Sequence, residues 1–517
     1  MIASKSFLPV YMRAVLLICT VLGISFSALG AGPKGTVYKF TVPKQGSMIA
    51  DGTYYCWLPE SVATMRCIIV HQHGCGHEGD AVMMMSDVQW TTLAKKWHAV
   101  FIAPSFASGS NCGNWCDMNN GSGNTFLSAL DTLSRRSGHP EIKTIPWALW
   151  GHSGGAMWIT AMTGKYPERV AAGVAQSCGT DVANVPAALK VPVLHHNGTG
   201  DACYNGPYFI NGRVKGALWA FAVNAGSAGH GTGNMRTIAI PWFDFVLAAR
   251  LPDSSGAPAS MMKPMDTTNA YLGDTTTHVI APAAAYTGNK QIAAWFPNRA
   301  MAILWRDYCM TPRSLQGIVK DSTPPPAPYN LTGTYTNRSI VLKWDADADL
   351  ETGIKTFIVY RNGTLLKTLT YPTKHYWIDA TGYQVWCYGD ETNPYPAPAM
   401  TYTDANLSDT ATYTYQVSTV NWCDGIGLKS GNLTLSHGNV TAVSAIASAP
   451  VTKSRTPYFC LHMGIAGYEL FSDLVDIYDI RGRLLSSVDI RSSGVNNVKR
   501  LLGTRAANVL VIRNRAR

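Results

Sequence analysis

Charge is scarce in this sequence. Asp, Glu, Lys and Arg make up 14% of its 517 residues, and the formal net charge is +10. Two of these positive charges lie in residues 1–30, and residues 452–517 hold eleven Lys or Arg against five Asp or Glu, so residues 31–450 keep a net charge of only +2. Because these residues are nearly neutral, they lack the excess of positive charge that binding to a polyanion requires. We therefore exclude nucleic acid as an expected partner.

Long apolar runs are also rare, and one stands at the N-terminus. Lys5 and Arg13 lead into apolar residues 14–24, and small residues follow through Gly30. This pattern predicts a secretory signal peptide cleaved before Ala31. The apolar stretch is short for a membrane span, and no other segment is apolar enough to cross a bilayer. We expect a secreted or cell-surface bacterial protein.

Metal-binding spacing is missing as well. No Cys and His residues have the paired pattern of a zinc site, so we expect no metal and no cofactor. The twelve Cys become eleven after signal cleavage, and export permits disulfides, so at least one thiol stays unpaired or bonds another chain. Cys178 and Cys203, which flank two neighbouring strand ends, are the preferred pair. Two further pairings stay open: Cys112 with Cys116, and Cys387 with Cys423.

The sequence does contain one segment typical of a nucleophile elbow. Residues 151–155 read Gly-His-Ser-Gly-Gly, between the apolar run 146–150 and a helix-like segment 156–162. In such an elbow a strand turns sharply into a helix and holds one Ser at a strained position, with small residues around it. Ser153 is therefore the predicted nucleophile. The amide of Gly154 would face a developing oxyanion.

An acid and a base follow in the order that a hydrolase elbow requires. Asp201 ends the turn 198–201 that follows the predicted strand 191–197, and His230 lies in a Gly-rich loop, residues 226–233. Catalytic groups of open α/β sheets collect at the carboxyl ends of strands. The order Ser, Asp, His is that of the α/β-hydrolase fold.

Other residues compete for these two roles. Asp181 is the rival acid, and Asp201 is also readable as a turn-forming residue. His195 and His196 are rival bases, but both lie inside the predicted strand. His77 and His152 are better interpreted as pocket lining.

A fourth motif precedes the elbow. The apolar strand 67–71 runs into residues 72–77, where Gly74 permits close backbone approach and the amide of Cys75 would complete the oxyanion hole. A Cys75 thiol nucleophile has no suitably spaced base. The segment His73-Gly74-Cys75, with Ser153, Asp201 and His230, resembles the α/β-hydrolase esterases of the polyhydroxybutyrate-depolymerase-like and feruloyl or acetyl-xylan esterase group. The resemblance covers residues 35 to 315 and implies a serine esterase.

Aromatic residues near these motifs are candidates for the substrate site. We expect His152, Trp115 and Trp242 to contact substrate. Trp150 and Trp158 are equally readable as core.

The remaining sequence predicts further domains. The predicted α/β-hydrolase domain is 31–320, with 251–320 as a lid or wrap, and the Pro-rich residues 321–328 mark a boundary. Alternating segments then predict a β-sandwich spacer over 321–445. With its Trp344, Tyr413 and Tyr415, this segment resembles a fibronectin type III module. It has an aromatic-rich insertion at 371–401, whose aromatic side chains either bind sugars or pack in a core. Residues 446–517 resemble a small, basic sorting or attachment domain.

These readings combine into one expectation of fold and function. The fold is α/β, a doubly wound, mostly parallel sheet, followed by an all-β sandwich and a small C-terminal β module. The expected protein is a monomeric, secreted serine carboxylic-ester hydrolase that deacylates plant polysaccharide through an acyl-enzyme. The alternatives are a polyester depolymerase, a serine peptidase and a non-catalytic surface adhesin.

Overall fold

The structure is a computed structural model of the full chain. It describes residues 32–110, 112–224, 229–233, 235–310, 321, 323–370 and 398–437, and beyond these only the backbone of several short strands. The predicted signal peptide lies outside the described residues.

A central sheet organises the first part of the chain. Its strands, in chain order, are β1 (Gly35–Val42), β2 (Gly52–Pro59), β3 (Cys67–Gln72), β4 (Ala99–Ser105), β5 (Trp147–His152), β6 (Val170–Gln176), β7 (Val193–Gly198) and β8 (Trp219–Asn224). They lie side by side in the order β1-β2-β4-β3-β5-β6-β7-β8. The pairs β1–β2 and β2–β4 are antiparallel, and the pairs from β4 through β8 are parallel. This is the strand order of the α/β-hydrolase fold, so the predicted mostly parallel sheet is confirmed.

The parallel strands are buried along their whole length because helices cover both faces of the sheet. Every residue of β3, β5, β6 and β7 is buried, which is the pattern expected for strands between two helix layers. The helices are α1 (Asp80–Met84), α2 (Val88–Lys96), α3 (Gly113–Cys116), α4 (Ser122–Ser137), α5 (Gly154–Lys165), α6 (Gly206–Val214), α7 (Arg236–Arg250) and α8 (Arg299–Met310).

Residues 271–310 pack along β8, while the interpretation of 251–320 as a lid or wrap stays a prediction. They form a small antiparallel sheet of β9 (Tyr271–Gly273), β10 (Ile280–Pro282) and β11 (Ala294–Phe296), followed by α8. Trp305 of α8 donates from its indole to the carbonyl of Phe221 at 2.7 Å. This contact fixes α8 to the edge strand.

Two further sheets follow and share a second core. One contains β12 (Tyr329–Thr336), β13 (Ser339–Asp345) and β18 (Thr401–Asp404), and the other contains β14 (Thr356–Arg361), β15 (Thr364–Thr368), β19 (Thr412–Val420), β20 (Leu433–Ser436) and β21 (Asn439–Val440). Trp344, Phe357 and Tyr415 are buried between them, and the Tyr415 hydroxyl donates to Asp404 at 2.7 Å. The sandwich prediction fits this arrangement, while its likeness to fibronectin type III stays a prediction.

The insertion in the sandwich forms a hairpin of β16 (His375–Ile378) and β17 (Gln384–Cys387). The aromatic side chains that suggested a sugar platform lie outside the described residues.

The sandwich is docked on helix α2 of the first core. Lys95 binds Asp347 at 2.8 Å, the amide of Ala348 donates to Thr92 at 2.9 Å, and Gln89 donates to the carbonyl of Leu350 at 3.0 Å. Residues Met1–Ala445 accordingly form one compact unit. The sandwich is thus held directly against the first core, where the sequence alone suggested a spacer.

The second compact unit is Ile446–Arg517. Its strands β22 (Tyr458–Phe459), β23 (Leu474–Asp479), β24 (Leu484–Asp489) and β25 (Val509–Asn514) form an antiparallel sheet in the order β22-β25-β23-β24. The predicted sorting role stays a prediction. Across the described part of the whole chain, the helices are all too short or too polar to span a membrane.

Candidate active site

Ser153 occupies the turn between β5 and α5, as the elbow motif predicts. Its backbone has φ 55° and ψ −119°, a region that costs energy for a residue with a side chain. The Ser153 amide donates to the carbonyl of Gln176 at 2.9 Å, and its own carbonyl accepts from Ala156 at 2.9 Å. These bonds hold the strained turn in place.

Glycine is required around Ser153 for steric reasons. A Cβ on Gly151 would meet the carbonyl of Gly155, and a Cβ on Gly155 would meet the carbonyl of Gln72. A Cβ on Gly154 would lie 2.5 Å from the sulfur of Cys75. The motif therefore lets β3, β5 and α5 approach each other more closely than larger residues permit.

Asp201 and His230 meet beside this turn. His230 Nδ1 and Asp201 Oδ1 are 3.0 Å apart. Asn197 donates to the other carboxylate oxygen at 3.1 Å, and the amide of Cys203 donates to Oδ1 at 2.9 Å. Burial alone would raise the pKa of Asp201, but hydrogen bonds from Ser177 and His230 outweigh burial and lower it. An ionised Asp201 accepts the Nδ1 proton and leaves Nε2 of His230 as a base.

His152 connects this pair to the elbow. Its Nε2 lies 2.7 Å from the carbonyl oxygen of His230, and the centroids of the two rings are 5.1 Å apart. The residue directly before Ser153 thus contacts the residue that carries the imidazole. The structure therefore brings the elbow, the acid and the base into one place.

The rival residues lie in other surroundings. The carboxylate of Asp181 accepts from Asn211 at 2.7 Å and from the amide of Ala183. His195 and His196 are fully buried in β7, and His196 Nε2 lies 2.6 Å from the Tyr308 hydroxyl. None of these contacts makes an acid–base pair at the elbow.

The loop after β3 lies against Ser153. A Cβ on Gly74 would be 3.3 Å from the Cβ of Ser153 and 2.9 Å from Nδ1 of His152. The Nδ1 of His73 donates to the carbonyl of Gly74 at 2.6 Å, and its Nε2 accepts from the amide of Phe106 at 3.0 Å. Burial lowers the pKa of His73 to about 4. A neutral His73 therefore fixes the peptide that leads into Cys75.

Two disulfides fasten the loops of the site. Cys178–Cys203, the preferred pair, is confirmed, and it bridges the end of β6 to the Asp201 turn. Cys75 is bonded to Cys112, so the predicted pair of Cys112 with Cys116 is wrong. The bonded Cys75 also has no thiol for nucleophilic attack.

The pairing of Cys387 with Cys423 stays a prediction, because the side chain of Cys387 lies outside the described residues.

The predicted substrate contacts need correction. Trp115 and Trp242 have no exposed surface, and His152 is 6% exposed. Trp115 packs on His73 with ring centroids 5.1 Å apart, behind the loop that follows β3. In this structure both indoles are part of the packed interior, so neither lines an open surface. His77 stays outside the core and binds Asp80 at 3.1 Å.

Sequence reasoning missed the residues that hold the acid. Asn197 contacts Asp201, and Ser177 stands directly after β6 with φ 54°. A polar residue at the end of the apolar strand 191–197 was the available signal for Asn197. Ser177 has a similar position, directly after the apolar residues of β6.

One group of acidic residues in the described part of the chain has the chemistry to hold a cation. The carboxylates of Asp321, Asp349 and Glu351 converge within 4.8 Å, at the base of the sandwich. Burial, together with the charges of Glu351 and Asp321, raises the pKa of Asp349 well above its usual range. These oxygens suit a hard divalent ion, but they lie on other segments than the elbow, the acid and the base.

Known proteins resemble this chain over part of its length. The chain is 27% identical over 176 residues to feruloyl esterase B of Neurospora crassa, which is 34% of this chain and 59% of that protein. The chain thus spans less than two thirds of this curated relative. No family model matches. The relative supports the predicted class of carboxylic-ester hydrolase.

Solved structures resemble the chain only distantly. A thermostable esterase has a TM-score of 0.30 at 15% identity and covers 36% of this chain and 54% of its own. The feruloyl esterase module from Clostridium thermocellum, an S954A mutant complexed with sinapinate, has a TM-score of 0.29 at 12% identity and covers 39% and 88%. An S-formylglutathione hydrolase from Agrobacterium tumefaciens has a TM-score of 0.29 at 11% identity and covers 38% and 88%.

Proposed function

We propose that this chain is a secreted serine carboxylic-ester hydrolase that removes acyl groups, acetyl or feruloyl, from plant polysaccharide. The observation that carries the proposal is the Asp201–His230 pair, held through His152 beside the strained turn of Ser153. The similarity to a feruloyl esterase supports the same chemistry.

The reaction begins with the neutral hydroxyl of Ser153, which is a weak nucleophile on its own. Nε2 of His230 takes the hydroxyl proton as the oxygen attacks the ester carbonyl, and Asp201 stabilises the imidazolium that forms. The imidazolium then gives its proton to the leaving alcohol. Water deacylates the enzyme by the same steps in reverse order.

The amides of Gly154 and Cys75 are the proposed donors to the tetrahedral oxyanion. Gly154 opens α5, whose positive end supports negative charge, and it packs against the sulfur of Cys75. Each such donor lowers the barrier by about 3 to 4 kcal/mol.

The exposure of the base supports a substrate whose ester is attached to a large molecule. The side chain of His230 is 45% exposed while that of Asp201 is completely buried. A base at the surface can reach an acyl group that projects from a polymer. The predicted export and the predicted attachment through residues 446–517 belong to the same proposal, because tethering near a surface raises the effective enzyme concentration.

The decisive experiment compares hydrolysis of p-nitrophenyl acetate by the full chain and by its Ser153→Ala variant. We expect the variant to lose at least about 1,000-fold in kcat, as triad enzymes do. Ser86→Ala, an exposed Ser in the turn after α1, is the matched control and keeps full activity. Equal rates for Ser153→Ala and the original chain would reject Ser153 as the nucleophile.

A substrate panel then separates the alternatives. Release of acetate from acetylated xylan or of ferulate from methyl ferulate supports the proposal. Faster hydrolysis of polyhydroxybutyrate would identify a polyester depolymerase, and amide cleavage above ester cleavage would identify a peptidase. A non-catalytic adhesin would hydrolyse none of these substrates.

A further inference from the structure

His152 makes a contact that the acyl-transfer steps do not use. Its Nε2 lies 2.7 Å from the carbonyl oxygen of His230. A carbonyl oxygen only accepts hydrogen bonds, so Nε2 of His152 carries a proton and donates it. The bond reaches the backbone of the base, whereas Asp201 contacts its ring.

The other nitrogen of His152 shows that the ring is neutral. Among the described residues, Nδ1 is buried and has no hydrogen-bond partner. Gly74 lies next to it, since a Cβ added at Gly74 would be 2.9 Å from Nδ1. Burial is the largest effect on the pKa of His152 and lowers it to about 4. The charges of His230 and His77 lower the pKa further. The hydrogen bond to His230 and the charge of Asp201 act in the opposite direction and raise it. A second proton on the ring would be buried without an acceptor.

The loop that carries the base is held at two carbonyls: Gln176 donates to that of Gly231 at 3.3 Å, and His152 donates to that of His230 itself. The side chain of His230 is 45% exposed, and it lies in a Gly-rich loop. A hydrogen bond to Nδ1 orients the imidazole about its own bonds, but it does not set the position of the peptide that carries the ring. A donor on the elbow itself sets that position relative to the nucleophile.

We propose that His152 is a positioning residue that donates to the carbonyl of His230 and thereby fixes the base relative to Ser153. This inference rests on the proposed function. It replaces the expectation that His152 contacts substrate, since its ring is buried between the base and the loop at Gly74.

Three substitutions at position 152 test the proposal in the full chain. His152→Phe keeps an aromatic ring without the donor, His152→Gln keeps a donor of similar reach, and His152→Asn keeps a polar group that is too short. We expect kcat for p-nitrophenyl acetate to fall about 10- to 100-fold in the Phe and Asn variants with KM nearly unchanged, because a base displaced by about 1 Å costs this much. The Gln variant recovers most of the rate.

The control is His139→Gln, a histidine that contacts Glu141 away from the site, and it keeps the original rate. Should the Phe variant not fold, the Asn and Gln variants decide the question. Rates in the Phe and Asn variants within about twofold of the original would overturn the proposal, as would a rise in KM without loss of kcat.

The same substitution in a His230→Ala chain distinguishes a role in positioning the base from a role in stabilising the fold. In a His230→Ala chain the base is already gone, so His152→Phe is expected to cause no further loss of the residual rate. An equal loss in both backgrounds would mean that His152 acts on the fold rather than through His230.

The outcomes also separate this inference from the proposed function. Full activity of Ser153→Ala would overturn both. An inactive Ser153→Ala together with an unaffected His152→Phe would overturn the positioning role alone.

Discussion

Gly154 is the position where one added methyl group should most directly disturb catalysis. In Gly154→Ala the new Cβ would lie 2.5 Å from the sulfur of Cys75 and 2.6 Å from that of Cys112. Both sulfurs belong to one disulfide, so neither can rotate away as a free side chain would. Ordinary van der Waals contact begins at 3.4 Å. The disulfide or the first turn of α5 must therefore move by about 0.9 Å, a displacement comparable to the 1 Å misplacements that strongly affect active sites.

The movement acts on both proposed oxyanion donors at once, because the methyl group is on one donor residue and the sulfur on the other. Misplacement of about 1 Å costs about 100-fold in rate, which is about 2.7 kcal/mol in the barrier. We expect kcat of Gly154→Ala to fall by about this factor for p-nitrophenyl acetate. The fold should survive, since overpacking costs about 1 to 3 kcal/mol and Ala favours the helix over Gly by about 1 kcal/mol.

Gly79→Ala provides the matched control. It makes the same change at the residue directly before α1, at a position with φ −68° and nothing within 4 Å of the new Cβ. Its rate and melting temperature should equal those of the original chain. A Gly154→Ala rate within about twofold of the original, with both proteins folded, would refute the oxyanion role of this turn.

Two further predictions concern charge. Asp201→Asn should lower kcat by about 10,000-fold without unfolding the protein, because an amide no longer enforces the Nδ1–H tautomer of His230. Hydrolysis rates measure the loss, and circular dichroism shows whether the variant is folded. A loss below about tenfold would contradict the assignment of Asp201 as the acid. Burial lowers the pKa of His73 and His152 to about 4 and that of His195 and His196 to about 3. In the unfolded chain these histidines have the usual pKa of about 6.5, so below that pH they bind protons that the folded chain does not bind. The free energy of unfolding should therefore decrease as the pH falls from about 6.5 toward 4. The decrease is up to about 1.4 kcal/mol per pH unit for each histidine. Urea unfolding at pH 7 and pH 5 measures it, and equal midpoints would show that these rings are protonated in the folded state.

The sequence predicts most of the fold and the elbow because their signals are local. A parallel strand that is buried on both faces is mostly apolar, so β3, β5, β6 and the start of β7 are visible as apolar runs that end in polar residues. The elbow is visible because Ser153 needs small neighbours within two residues on either side. The positions of Asp201 and His230 follow from the chain order of a single fold.

The contacts that join distant segments have no such local signal. The Cys75–Cys112 bond spans 37 residues, and proximity in sequence wrongly favoured Cys116 as the partner of Cys112. Trp242 is close to His230 along the chain, but α7 is buried on more than one side, so its indole packs in the core. The contact of Lys95 with Asp347 joins residues 252 positions apart, and nothing in either segment indicates the other.

The contact between α2 and residues 345–350 decides how the catalytic part can be handled as a separate protein. A chain cut at residue 320 would leave the amide side chain of Gln89 and the hydroxyl of Thr92 facing water instead of the sandwich backbone. Lys95 would also lose its ion-pair partner, Asp347. The proposed hydrolase domain is therefore not independent of the sandwich, and a shortened chain should keep the residues through 437.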